Sequence, residues 1–172
     1  MLMFSTANLV YFFAALFSAL MGGLFFTWSN AVVTGLARIP DHGYISAMQS
    51  MNRTILNPLF LLILMGTNVL LPLAAWFQYR AGAEPGWWLM ALAALIYIIG
   101  VFGVTIGGNV PLNQLLDKFA LSTSTAQEMK ELRTVFENRW INLNLIRTWA
   151  SVISLALVLL SLLTRTTGLK DS

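Results

Sequence analysis

The chain has 172 residues, 58% of them hydrophobic and 10% charged, with a formal net charge of +3. Together with a mean hydropathy of +0.74, this excludes an ordinary soluble domain and points to an integral, multi-pass membrane protein whose first partner is the lipid bilayer. The absence of cysteine and the single histidine, His42, exclude disulfides, thiolate metal sites and two-histidine haem ligation from one chain.

A first span is predicted over 8–36, with no charge before Arg38 and more than the ~20 residues a bilayer crossing needs. It has no basic n-region and no clear small-residue cleavage site, so it is expected to stay in the mature protein. Ala15, Ala19 and Gly23 recur at helical spacing, and Thr27, Asn30 and Thr34 continue that side, a packing seam that begins small and ends polar. Its functional reading gives Asn30 a place in the same cavity as Asn144. Pro40 and Gly43 end the helix. A short amphipathic helix then runs over 44–56, with Ile45, Met48, Met51 and Ile55 on its apolar side and Gln49, Asn52 and Arg53 on its polar side. It is expected to lie along the interface or to fold over the bundle as a mobile lid.

Asn57 and Pro58 cap and open a second span over 58–78, which carries Asn68 and Pro72. The short polar connection from Gln78 to Pro85 makes the next span its antiparallel neighbour. That third span covers 86–108, with Trp87 and Trp88 as an interfacial pair and Gly100, Gly103 and Gly107 as a small-residue stripe for packing. No strand pattern surrounds Gly103, Gly107 and Gly108, which excludes a nucleotide-binding loop. Asn109-Val-Pro-Leu-Asn113 reads as the helix exit. Ser122 to Thr125 followed by Glu128 is a capping-box start. A last helix therefore begins at Ala126, and if unbroken to Leu163 it is about 60 Å long, roughly twice the bilayer core; 140–164 is its spanning part. The expected fold is all-α, a four-transmembrane-helix bundle forming one membrane domain over 1–172. It has a short amphipathic helix between spans one and two and an extended fourth helix, and its small-residue seams suit a homo-oligomer.

Arg38, Arg53, Lys118, Lys130, Arg133, Arg139 and Arg147 belong to the first and third connections, against Arg80, Arg165 and Lys170 on the face of the termini. The positive-inside rule places those two connections in the cytoplasm and both termini on the opposite side. No clustered basic stripe interleaves with aromatics, so nucleic acid is not an expected partner. Nor do the spans show an inverted repeat or a deeply placed charge that would indicate a transporter.

Polar residues gather at that same face. At about 100° per residue, Glu137, Trp140, Asn144 and Arg147 fall within roughly 80° of one another, so a carboxylate, an indole, an amide and a guanidinium share one side of the last helix. Asn30 and Thr34 end the first helix, Asn52, Arg53 and Asn57 precede the second span, and Asn109 and Asn113 follow the third. One reading is a snorkelling interfacial turn with Trp140 in an aromatic belt. The other is a pocket for a flat lipophilic molecule entering from the bilayer.

Gly23-Leu-Phe-Phe-Thr-Trp-Ser-Asn30 leading to Ile39-Pro-Asp, Ala47 to Arg53 with Asn57-Pro58, Asn109-Val-Pro-Leu-Asn113, and Trp140 to Thr148 together resemble the anthrone-oxygenase-like family of small four-helix membrane proteins. The resemblance spans nearly the whole chain and is most specific in the last two elements. It implies oxidation of an anthrone-like lipophilic aromatic at its acidic benzylic carbon, with molecular oxygen as co-substrate and no metal or flavin required. On that basis Arg147 and Arg53 would stabilise the substrate anion, and Asn30, Asn52, Asn57, Asn109, Asn113 and Asn144 would line the site and orient oxygens. Trp28 or Trp140 would stack on the rings, and His42 or Glu137 would be the base. For Glu137 the alternative is an ion pair with Arg139 or Arg147. For the chain as a whole the alternative is a non-catalytic protein that holds a lipid, quinone or hydrophobic metabolite, or an accessory subunit.

Overall fold

The computed structural model describes residues 5–167; Lys170 and the side chain of Arg165, both used in the charge count, lie outside the described residues. Five helices account for the architecture, with no strand among the described residues. They are α1 (Thr6–Leu36), α2 (Asp41–Thr54), α3 (Pro58–Arg80), α4 (Gly86–Asp117) and α5 (Ala126–Thr167). All but α2 are apolar and long enough to cross a membrane. They form a four-helix bundle in which α1 packs on α3, α3 on α4, α4 on α5 and α5 on α1, each pair antiparallel.

The starts of these helices follow from local chemistry. Ser5 accepts from the Asn8 amide at 3.2 Å, and Asn57 accepts from the Phe60 amide at 3.0 Å with Pro58 in the first helical turn. Before α5, Glu128 accepts from the Thr125 amide at 2.7 Å, while the Thr125 hydroxyl accepts from the Glu128 amide at 3.3 Å, a reciprocal box. From there α5 continues unbroken for 42 residues, about 63 Å at ~1.5 Å per residue.

Helix length decides the rest of the layout. With 23 residues, α3 is about 35 Å long and little more than the ~30 Å hydrocarbon core, whereas α1, α4 and α5 extend beyond its N-terminal end. Into the position α3 leaves unfilled, α2 packs against α4 and α5. Two apolar cores result. One joins the four spans around Tyr11, Met21, Phe25, Leu71, Met90, Tyr97 and Val158. The other joins α2 to the extensions around Tyr44, Ile45, Met48, Leu116, Phe136 and Trp140.

Several expectations about helix faces are corrected. In α1 the buried stripe is Tyr11, Ala14, Ser18, Met21 and Phe25, and Ala19, Gly23, Thr27, Asn30 and Thr34 are exposed. Both stripes obey helical spacing, and in a lipid-facing helix both are compatible with burial, so spacing alone does not choose between them. In α4 the helix does not exit at Asn109. Wide π turns at Ile98–Gly103 and Thr105–Asn109 reset its register. Pro111 then falls in the first turn of the α-helical segment Val110–Asp117, where its missing N–H costs least. The same resets change which glycines matter. A Cβ on Gly100 would lie 2.6 Å from Ala150 Cβ, and one on Gly108 would lie 2.8 Å from Leu143 Cδ1, while Gly107 has nothing within 4 Å. The close approach of α4 to α5 therefore runs through Gly100 and Gly108. Gln78, expected in a polar connection, is buried in α3, where its amide bonds the Ser161 hydroxyl of α5 at 2.8 Å.

Candidate functional site

Where the two cores meet, a chamber of about 60 Å³, open on one side, is lined by residues of all five helices. Leu24, Phe25 and Trp28 come from α1, Asn52 from α2, Ile55 and Leu56 from the connection that follows, and Phe60 from α3. From α4 come Thr105, Asn109, Val110 and Asn113, and from α5 Trp140, Asn144 and Arg147. The short α3 opens this space, and the π turns of α1 (Trp28–Val32) and α4 bring Trp28, Thr105 and Asn109 to it.

Arg147 is the dominant charge. Its residue is 6% exposed, and among the described residues it has no carboxylate partner. Its Nη2 donates to Asn144 Oδ1 at 2.8 Å, Nη1 makes a long contact with Thr105 Oγ1 at 3.5 Å, and the guanidinium lies 4.6 Å from the Phe25 ring centroid and 5.5 Å from that of Trp140. Cation–π attraction is strongest where the ion is desolvated, so the two rings compensate part of the missing hydration. The Asn144 amide is fixed by a chain of donors. Thr148 donates its one hydroxyl proton to the carbonyl of Asn144 (2.9 Å) or of Phe25 (3.0 Å), so Ser29 donates to Thr148 at 2.8 Å. Ser29 in turn accepts from Asn144 Nδ2 at 2.8 Å, which leaves Asn144 Oδ1 to face Arg147.

Four buried polar atoms of chamber residues have no hydrogen-bond partner among the described residues: Arg147 Nε, Asn52 Nδ2, and both Nδ2 and Oδ1 of Asn109. Asn109 is 1% exposed. Buried amides are normally satisfied, and leaving one bare costs about 1–3 kcal/mol per group. Trp140, which the interfacial reading put in an aromatic belt, is instead buried; it donates from Nε1 to Asn113 Oδ1 at 2.8 Å and its ring centroid is 5.3 Å from that of Trp28.

Of the residues singled out from sequence, Trp28, Asn52, Asn109, Asn113, Trp140, Asn144 and Arg147 converge on the chamber. Five do not. Asn30 is exposed and lines a separate groove between α1 and α5 with Phe26, Ser29, Leu145 and Trp149. Asn57 is spent on capping α3, and Arg53 pairs with Asp117 at the surface. His42 is exposed on the first turn of α2. Glu137 lies one turn from Trp140 but is held by Arg133 Nε at 2.8 Å, not by Arg139 or Arg147. Among the described residues, no carboxylate or imidazole lines the chamber.

Ser29 and Thr105 were missed. Ser29 sits one residue from the amide that drew attention, and Thr105 lies inside a stretch whose glycines read as packing.

Above the chamber, α2 is tied down rather than loose. Arg133 bonds Asp41 at 2.9 Å, the Ile39 carbonyl at 2.8 Å, the Ala37 carbonyl at 3.1 Å and Glu137, and its guanidinium lies 4.4 Å from the Tyr44 ring centroid. Burial pushes the Tyr44 phenol well above its ordinary range, with Glu137 adding to the shift and Arg133 opposing it. Gln49 Nε2 donates to the Leu116 and Phe119 carbonyls at 2.9 and 3.0 Å, so the polar side of α2 is partly a docking surface.

A family model described as Anthrone oxygenase matches residues 57–157. The match takes in every chamber residue of α3, α4 and α5 and begins after Trp28 and Asn52. No curated protein and no solved structure matches the chain.

Proposed function

We propose that this chain, which belongs to the anthrone oxygenase family, is a membrane-embedded oxygenase of a lipophilic, anthrone-like aromatic. The observation that carries the reading is Arg147, a buried cation without a carboxylate partner, set between two aromatic rings beside amides whose polar atoms have no partner. Arg147 Nε, Asn52 Nδ2 and Asn109 Nδ2 ask for acceptor oxygens, and Asn109 Oδ1 asks for one hydroxyl donor. A carbonyl flanked by a hydroxyl on a flat ring system meets that demand.

In this reading the benzylic C–H of the substrate breaks, its proton passes to water at the open side of the cleft, and the electron pair delocalises onto the carbonyl oxygen. Arg147 and Asn109 hold the resulting oxyanion, a preorganised stabilisation that acts most strongly where water is excluded. The anion gives one electron to O₂, and the radical pair combines into a carbon–oxygen bond. Loss of the second benzylic proton with cleavage of the O–O bond leaves a new carbonyl and releases water, so anthrone and O₂ become anthraquinone and water. No base of the chain and no metal or flavin enters these steps. The basic excess of the two long connections supports a cytoplasmic position for this end of the bundle in this reading.

A second reading, a non-catalytic holder of a lipid, quinone or hydrophobic metabolite, is favoured by the lack of a titratable base among the lining residues. Oxygen consumption by the purified protein on a simple anthrone separates the two. Uptake matched by quinone formation supports the oxygenase. Background uptake by folded protein that anthrone stabilises selects the holder.

A further inference from the structure

The chamber is too small for three fused rings. Sites for molecules of that size occupy roughly 300 Å³ or more, against about 60 Å³ here. A ring system anchored at Arg147 must extend outward, and the structure shows where. A groove of about 240 Å³ adjoins the chamber and shares Asn52, Leu56, Val110 and Asn113 with it. Its outer rim is formed by Arg53, Gln114, Asp117 and Lys118. Arg53 and Asp117 neutralise each other, whereas Lys118 makes no ion pair among the described residues. The rim therefore carries two cations against one carboxylate. These side chains stand at the exposed end of the bundle, where a charged group keeps part of its hydration and its desolvation cost is small.

We infer that this groove is a subsite for an anionic substituent, a carboxylate or phosphate, on the end of the bound molecule remote from the reacting ring, with Lys118 as its principal reader and Arg53, shared with Asp117, beside it. The inference rests on the chamber-binding reading above. It adds a specificity that Arg147 does not supply: Arg147 takes the oxygen of the reacting ring, and the rim selects acids over neutral analogues.

The test uses anthraquinone carboxylate and its methyl ester, neither of which is a substrate for benzylic oxidation. Binding to the full chain in phosphatidylcholine nanodiscs is read by quenching of tryptophan fluorescence. The acid should bind about threefold to fivefold more tightly than the ester, the advantage of one or two exposed ion pairs. That ratio should fall to about one in ~1 M salt, where screening is nearly complete. It should also vanish in a Lys118→Gln, Arg53→Gln double variant whose affinity for the ester is unchanged. Equal affinities in the unaltered chain, or a preference that survives in the double variant, overturn the subsite while leaving the chamber reading intact. If anionic phosphatidylglycerol in the nanodisc abolishes the preference, the cations serve lipid phosphates and the inference fails. Binding of neither probe overturns subsite and chamber together.

Discussion

Replacing Arg147 by Met tests whether the buried cation is there for chemistry or for the fold. The substitution removes one short hydrogen bond to Asn144 and two cation–π contacts. These are worth about 1.5–3 kcal/mol for the charged bond and about 1–2 kcal/mol for the rings, and the bare Asn144 oxygen costs about 1–3 kcal/mol more. Against that stands the relief of a desolvation penalty of several kcal/mol, which no carboxylate among the described residues offsets. Methionine fills similar space with apolar atoms. The opposing terms nearly cancel, so Arg147→Met should unfold within about 2 kcal/mol of the unaltered protein. Turnover should not be so forgiving: loss of one oxyanion donor typically lowers kcat by about 10²–10³-fold. Denaturant titration in mild detergent gives the first quantity, and quinone absorbance with oxygen uptake, normalised to folded protein, gives the second. A variant that loses more than about 4 kcal/mol, the scale of a broken buried ion pair, yet turns over normally per folded molecule would refute the assignment and make Arg147 a structural cation.

Asn109→Ala should lower turnover by about 10²-fold in the same assay without lowering stability, since neither atom of its amide has a partner to lose; a drop in stability with full activity would contradict the site. His42→Ala should leave turnover and its pH profile unchanged, because the residue is exposed on α2 and does not line the chamber; a lost limb of the profile would restore it as the base. Gly100→Ala should destabilise the bundle by about 1–3 kcal/mol by driving a Cβ into Ala150, while Gly107→Ala, with open space around it, should be nearly neutral in thermal unfolding.

The four spans, the capping box at Thr125 and the long last helix were legible in the sequence because each is a local signal: an apolar run, a polar pair three residues apart, an absence of breakers. The α5 part of the site was legible for the same reason, since Trp140, Asn144 and Arg147 share a face of an undisturbed α-helix. The α1 and α4 parts were less so. Trp28 and Thr105 line the chamber from π turns that no periodicity at 3.6 residues announces, while Ser29 and Asn30 of the same α1 turn line the outer groove, Ser29 bonding Asn144 from there. The small-residue seams failed for another reason: lipid and protein are equally apolar neighbours, so Ala19 and Gly23 carry no mark that distinguishes one from the other. Glu137 pairs with Arg133, four residues earlier and one turn away on the same side of the helix, rather than with Arg139, which at two residues' distance points elsewhere, or with Arg147.

The position of the chamber follows from a mismatch in helix length, and the mismatch also decides how a molecule gets in. Because α3 starts where the other spans continue, the gap above it must be closed by α2, which is joined to it through Ile55, Leu56 and Asn57. Two anchors hold α2, the Arg133 cluster at its start and Gln49 at its middle. Moving the whole helix would break the Asp41–Arg133 ion pair and the bonds from Gln49 to two backbone carbonyls at once, a cost of several kcal/mol. Leu56, by contrast, is 62% exposed, lines both chamber and groove, and lies in the connection between α2 and α3. Access therefore runs past the Ile55–Leu56 connection, with α2 as a fixed roof, and Leu56 is the exposed one of the four side chains, with Asn52, Val110 and Asn113, that border both the polar chamber and the outer groove.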